Sequence, residues 1–322
     1  MAQERGHTVV GLDVGYFKDC GGDGPVERQI VRDMRDVVSA DVEGVDAVIH
    51  LAGLSNDPMG ALDADLTREI NLDGTLRLGA LAKAAGVNRF VFASSCSLYG
   101  AAGGEAALDE TATMGPVSAY AVSKAKSEEG LLALADADFS PVFMRNATAY
   151  GVGLRPRFDL VVNNLSGWAF STGVLRVMSD GTPWRPLVHI EDIALAALCA
   201  AEAPREAVHA EAFNIGRSDG NYQVKDIAEA VSRAFPDARL DITGESGGDP
   251  RSYRVAFDKA LKGLPGFSPK WTLEMGVDEV ARWLRDGGLD GAAFDSRRFV
   301  RLAQLQHDVA QGRLDDRLRL VA

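Results

Sequence analysis

Through the first half of the chain, short runs that are apolar on both faces alternate with longer stretches whose apolar residues recur at helical spacing. Thr8–Asp13, Val45–Ala52, Phe90–Ala93 and Pro141–Arg145 read as strands. A strand covered by helices on both sides has no polar face, so it loses the in–out alternation of a half-exposed one. Leu66–Ala85 and Ala119–Ala135, rich in alanine and leucine, read as helices. Strand–helix–strand repetition requires right-handed crossovers and predicts an α/β fold with a doubly wound parallel sheet. After Gly151 the rhythm loosens, with Pro156, Pro183 and two tryptophans between residues 156 and 186. A helix at Ile190–Ala203 and a strand at Ala212–Gly216 return to the earlier pattern. A helix at Val224–Phe235, a short strand at Leu240–Ile242 and loops rich in glycine and proline follow. The pattern predicts a main domain over 1–155, rejoined by 187–217, and a smaller α/β domain assembled from 156–186 and 218–290. In the tail, 291–322, Phe299, Leu302, Leu305 and Val309 stand at near-helical spacing. That spacing predicts an amphipathic helix docked on its own body or on a second subunit.

Composition narrows the function. A hydrophobic share of 46% and a charged share of 25% over 322 residues are ordinary for a soluble globular chain of about two domains. A net charge of −12 argues against nucleic acid or an anionic membrane as a general partner. No apolar run approaches the ~20 residues of a membrane span. The first residues, Met1–His7, lack the pattern of a signal peptide. Cys20, Cys96 and Cys199 are scattered and odd in number, which argues against a disulfide framework or a metal site and for a reducing, cytoplasmic setting.

The sharpest chemical constellation is Ser94-Ser95 at the end of a strand, followed by Tyr120 and Lys124 four residues apart on a helix. Residues at that spacing point to the same side. An ammonium beside a phenol favours the phenolate, and a tyrosine so tuned exchanges a proton with a hydroxyl or a ketone. A serine at the strand end hydrogen-bonds the same oxygen. By itself the Tyr/Lys spacing also describes a solvated helix face; its weight comes from the serines and from Asn71 upstream.

Phe92–Gly100 and Ser118–Lys124 resemble the extended short-chain dehydrogenase/reductases, specifically the NAD-dependent sugar-nucleotide epimerase/dehydratase family. The resemblance runs on through His50-Leu51-Ala52-Gly53, Asn71-x-x-Gly74-Thr75, Arg145-x-x-x-x-Tyr150-Gly151, Arg185–Asp192 and Phe213–Gly216. It implies a Rossmann-like fold, NAD as cofactor and a nucleotide sugar as substrate. It also implies a homodimer through the helices at 66–85 and 119–135. By position, Ser95 matches the family's catalytic serine, Tyr120 the proton donor or acceptor, and Lys124 the lysine on the nicotinamide ribose. Asp13 matches the carboxylate on the adenosine ribose, Asp33 and Met34 the adenine contact, and Ala52 and Gly53 the backbone beside the cofactor phosphates; Asn71 belongs to the same cofactor set. Asn164, Leu165, Arg185 and Arg251 match or are candidates for the substrate-diphosphate grip. His189 and Asp192 read as a hydrogen-bonded pair that fixes the substrate loop.

Departures from the family pattern sharpen the expectation. A dinucleotide fold needs a first strand, a glycine-rich turn and a helix whose N-terminus faces the pyrophosphate, with the ribose acid ~20 residues later. Asp13 has twelve residues before it and no such turn; Gly21, Gly22 and Gly24 follow the strand and open no helix. The sequence as written therefore lacks a central strand and a phosphate cradle. Either an upstream segment supplies them or this is a shortened form with impaired cofactor capture. Cys96 and Ser97 stand where related dehydratases carry acids, which disfavours dehydration, and Cys96 reads as a structural thiol. Ser246–Asp249 lacks an arginine found in relatives, and Thr148 replaces an asparagine. The expected reaction is epimerisation at the sugar C4 through a 4-keto intermediate. The alternatives are reduction of a keto-sugar nucleotide, or a non-catalytic binding protein.

Overall fold

The computed structural model describes residues 1–100, 106–244 and 252–321. Its strands are β1 (Val10–Asp13), β2 (Arg28–Val31), β3 (Ala47–His50), β4 (Arg89–Ser95), β5 (Ser140–Asn146), β6 (Thr148–Tyr150), β7 (Val174–Val177), β8 (Trp184–His189), β9 (Ala212–Ile215), β10 (Asn221–Gln223) and β11 (Arg239–Ile242). The longer helices are α1 (Gly74–Ala84), α2 (Ala119–Leu132), α3 (Val161–Thr172), α4 (Ile190–Glu202), α5 (Val224–Ala234), α6 (Leu273–Arg285) and α7 (Arg301–Ala310).

The main sheet is parallel in the order β3-β4-β5-β9, and β4 and β5 are buried almost throughout because helices cover both faces. The chain has the expected α/β, Rossmann-like architecture, but β1 and β2 form a parallel pair separate from the main sheet. Among the described residues β1 pairs only with β2, so β1 and β3 are both edge strands there. Their edges are unusually bare: Val10 and Ile49 are 37% and 36% exposed, and Leu51, just past β3, is 61% exposed. The two sheets nevertheless share supports. Met34, after β2, packs against Gly74 of α1, while His50 at the end of β3 bonds Thr75 of the same helix at 2.8 Å. On the other face, Arg5 and His7, ahead of β1, reach Glu202 at the end of α4, at 2.6 and 2.7 Å.

The helix expected over 66–85 is not uniform. A short turn, Ala64–Thr67, passes into a π-helical turn, Arg68–Asp73, before α1 begins. The widening has a local cause in the Asn71 carbonyl, which accepts hydroxyls from Thr75 at 2.6 Å and Ser127 at 3.2 Å.

The second region sets α3, α5 and α6 around the parallel pair β7–β11, with Phe158, Val177, Ile227, Val231 and Val280 fully buried. α3, β7 and β8 lie where the pattern assigned no individual element, and α6 lies where it read loops. α3 reads VVNNLSGWAFST, poor in strong helix formers, and is held by its packing rather than by propensity. A mixed sheet, β10-β8-β6, joins this region to the main one.

The tail docks on its own body. Leu305, Leu314 and Leu318 are buried in one core with Met34, Val37 and Phe90. Tyr16 donates its hydroxyl to the Leu318 carbonyl, and Arg35 donates to the carbonyls of Arg317 at 2.8 Å and Leu318 at 3.3 Å. α7 carries Leu302, Leu305 and Val309 of the expected spacing while Phe299 precedes it, and Gly312, left-handed two residues after α7, marks where the helix has ended.

Candidate active site

Strand alternation sends Ser94 and Ser95 to opposite faces of β4. Ser94 is buried and gives its hydroxyl to Glu128. Ser95 is half-buried, with its oxygen accepting the Ser97 amide at 3.1 Å. α2 starts beside this strand end, capped by Ser118, which accepts the Ala121 amide at 3.1 Å and donates to Asp57. Tyr120 and Lys124 sit one turn apart on its inner side. The Lys124 ammonium donates to the Ala93 carbonyl at 2.7 Å and lies 5.8 Å from the centre of the Tyr120 ring. Burial pushes its pKa down to about 8, partly countered by Glu128. Behind Tyr120 stands Gly60, where a Cβ would come within 3.0 Å of the tyrosine Cβ, so any other residue presses on the ring's backbone. His50 is driven down to about 3 by burial and by the Lys124 charge, which leaves it neutral at neutral pH.

The cofactor-side residues divide. Asp13, at the end of β1, is exposed and accepts the Gly15 amide at 2.6 Å. The Asp33 carboxylate accepts Arg35 Nε and backbone N at 2.9 Å each and Arg35 Nη2 at 2.5 Å. Burial alone would raise its pKa, but the Arg35 bonds outweigh burial and hold it below the usual range. Met34, expected at adenine, has its side chain buried against Gly74, in the core. Ala52 is exposed, and Gly53 adopts φ +142°, where a Cβ would strike the Asn71 amide at 2.8 Å. Asn71 itself is committed to the protein: it accepts the Leu54 amide at 2.7 Å and donates to the Leu54 carbonyl at 3.0 Å and Ser123 Oγ at 3.2 Å. It thus shapes the 52–54 turn rather than facing outward. The glycines after β1 do not form an anion cradle, since Gly22 gives its N–H to the Leu154 carbonyl at 3.0 Å.

On the substrate side, Asn164, Leu165 and Arg185 line one cavity of about 190 Å³, together with Arg176, Val177 and Met178. Arg176 and Met178 were missed from the sequence; their only signal was a place at the end of a short strand that the pattern did not reveal. Arg251, and the Ser246–Asp249 stretch, lie outside the described residues. A larger cavity, about 520 Å³ beside Lys18, Leu154 and Trp283, contains none of the expected site residues. The segment entering α3 is tied to the catalytic corner through Asn56–Asp159 at 3.0 Å and Arg157–Ser55 at 2.9 Å.

Two secondary expectations change. His189 does not pair with Asp192. It bonds Glu279 at 2.9 Å and stacks on Trp271, while Asp192 accepts the amides of Lys270 and Trp271 at 2.9 and 3.1 Å. His189 therefore anchors the middle of α6, across ninety positions, and Asp192 the segment that leads into it. Cys96 is fully buried, points its thiol at the Arg145 carbonyl at 3.1 Å and has its pKa raised by burial, as a structural thiol would.

Residues 1–216 match the model of the NAD dependent epimerase/dehydratase family. A UDP-glucose 4-epimerase of Rhizobium leguminosarum bv. trifolii is 29% identical over 285 residues, covering 81% of this chain and 84% of the relative. The solved structure of MoeE5 in complex with UDP-glucose and NAD is 26% identical, with a TM-score of 0.75 over 89% of this chain and 93% of that one. A 5,6-dehydratase acting on an NDP-hexosamine, TunA, shares the fold at a TM-score of 0.78 and 22% identity, over 90% and 93% of the two chains. With two thirds of its length inside the family model and its parallel α/β core shared with these enzymes, the chain belongs to the NAD-dependent epimerase/dehydratase family.

Proposed function

We propose that the protein inverts C4 of a nucleotide sugar, with Tyr120 as the proton-handling residue, Ser95 as its hydrogen-bonding partner and Lys124 as the cation that favours the phenolate. The observation that carries this reading is the buried Lys124 ammonium, 2.7 Å from the Ala93 carbonyl and 5.8 Å from the Tyr120 ring centre, one turn of helix away from the phenol's own backbone. A phenolate next to a fixed cation accepts a proton from a sugar hydroxyl and returns it to the resulting ketone oxygen, while a serine hydroxyl steadies the charge on that oxygen. The nearby thiol and hydroxyl of Cys96 and Ser97 are buried and offer no carboxylate to expel water from the sugar, which favours epimerisation over dehydration. The cavity at Asn164, Arg176 and Arg185 supplies amide and guanidinium groups suited to a nucleotide diphosphate.

The fit to a dinucleotide is uneven. Asp13, exposed at a parallel strand end, suits ribose hydroxyls, and Lys124 suits the nicotinamide ribose. The middle does not fit: among the described residues no glycine turn leads from a strand into a helix where a pyrophosphate would rest. In this family the dinucleotide supplies hydride exchange at the sugar carbon. This chain's own contribution is the proton, the orientation of the C4 oxygen and the grip on the diphosphate.

The test is a product screen with UDP-, dTDP-, GDP- and CDP-hexoses and NAD in deuterated water. C4 inversion with no deuterium at carbon supports the reading. A deoxygenated sugar marks a dehydratase, net reduction of the NAD with release of a keto-sugar nucleotide marks a keto-sugar reductase running in reverse, and tight sugar binding without turnover marks a binding protein; each of these overturns it.

A further inference from the structure

Beneath the proton-handling residues lies a buried ionic network that none of their assigned roles uses. Glu128 follows Lys124 by one turn of α2 and is 4% exposed. Besides the Ser94 hydroxyl, its carboxylate accepts Arg145 Nη2 at 2.8 Å and Arg145 Nε at 3.1 and 3.2 Å. Arg145 in turn reaches the Tyr99 hydroxyl at 3.1 Å and the Glu110 carbonyl at 3.0 Å, and Tyr99 donates to Asn214 at 2.7 Å. The network thus locks α2 and β5 to the residue of β4 that follows Ala93, the carbonyl partner of Lys124.

We propose that Glu128 is a positioning residue for the catalytic corner: held by Arg145, its carboxylate grips Ser94, fixes the Ala93 carbonyl under the Lys124 ammonium and keeps that ammonium charged. This rests on Lys124 acting as the cation beside Tyr120. A glutamate–arginine pair needs no third charge, and such buried pairs are often replaceable by apolar residues without loss. Here a third charge is present. Lys124 has no carboxylate within ion-pair distance among the described residues, so Glu128 is the buried anion that acts on it. The other groups facing Lys124 are Tyr120 on its own helix and His50 on β3, the latter neutral at neutral pH. Neutralising Glu128 removes the carboxylate that pairs with Arg145 and favours the Lys124 ammonium, and the lysine, unlike the arginine, can shed its proton.

The test follows the Lys124 side chain directly, by NMR of protein labelled with [ε-13C]lysine, with the signal assigned by its loss in Lys124→Met. The midpoint of titration, about 8 in the unaltered chain, should fall by about one pH unit in Glu128→Gln and by less in Glu128→Asp, which keeps the charge but shortens its reach. An unchanged midpoint in a folded Glu128→Gln variant overturns the proposal, even if its melting temperature falls, because a merely structural pair lowers stability without moving the lysine. If Glu128→Gln does not fold, an unchanged midpoint in Glu128→Asp overturns it instead. The measurement needs neither cofactor nor sugar. Failure of the sugar chemistry therefore shows in the product screen alone, and failure of the Glu128 role shows in the titration alone.

Discussion

Around Lys124, β4 has a neighbour on each side, its serines are engaged or half-buried, and charges are matched by the Glu128–Arg145 pair. Around Asp13, β1 has one neighbour among the described residues, its far edge is bare, and the acid accepts the amide two residues on. The first corner holds its reactive groups against a saturated scaffold. The second carries an exposed acid on an unsaturated one. The contrast teaches that the two corners are supported separately: the Tyr120–Lys124 corner rests on paired strands and a buried ion pair, whereas the Asp13 corner lies beside a bare strand edge.

The most damaging way to break the saturated corner is Tyr120→Phe. It removes one hydroxyl, should leave the circular dichroism spectrum unchanged and should lower turnover of the nucleotide sugar by roughly 10²–10⁴-fold. Retained turnover in this variant would remove Tyr120 from the chemistry.

The unsaturated corner can be mended rather than broken. Fusing an apolar strand and a glycine-rich turn ahead of Met1 should join β1 to β3, cover Val10, Ile49 and Leu51, and supply the missing phosphate donors. Calorimetric titration should then show NAD binding about tenfold tighter or better, with a higher melting temperature. A fusion that melts and binds like the original chain would show that the two edges do not accept a strand.

The smallest effect is one of sign. Lys124 has a folded pKa of about 8 against an ordinary 10.5, so between those values the unfolded chain holds the extra proton. By linkage, this group's contribution to stability rises as pH climbs from 8 to 10.5. Its contribution to activity falls over the same range, because the ammonium is lost. Paired melting and turnover profiles should diverge above pH 8, and the divergence should vanish in Lys124→Met.

Much of this was legible from the chain. Continuous apolar runs announced β4 and β5 as covered parallel strands, and the four-residue step from Tyr120 to Lys124 placed both on one face. The choice of Ser95 over Ser94 came from matching positions, and the strand's alternation gives it a physical reason: Ser94 is turned toward Glu128. What the chain concealed were partnerships between distant positions. Glu128 reads as one more charge on a helix until Ser94, thirty-four positions before it, and Arg145, seventeen after, are brought to it. Asn71 looks like a ligand-facing amide until Leu54 takes both ends of it. α3 was invisible because its valines, asparagines and serines favour other conformations, and only the core beneath it selects a helix.

The docking of the tail has a bearing on how the molecule is made. Tyr16 and Arg35 find their carbonyl acceptors at Arg317 and Leu318, and the Tyr16 contact closes a loop of 302 positions. During synthesis β1 and β2 emerge long before those acceptors exist, so the pair waits, half-clothed, until Arg317 and Leu318 have been translated. A carbonyl translated 302 positions after Tyr16 is the one that fastens it.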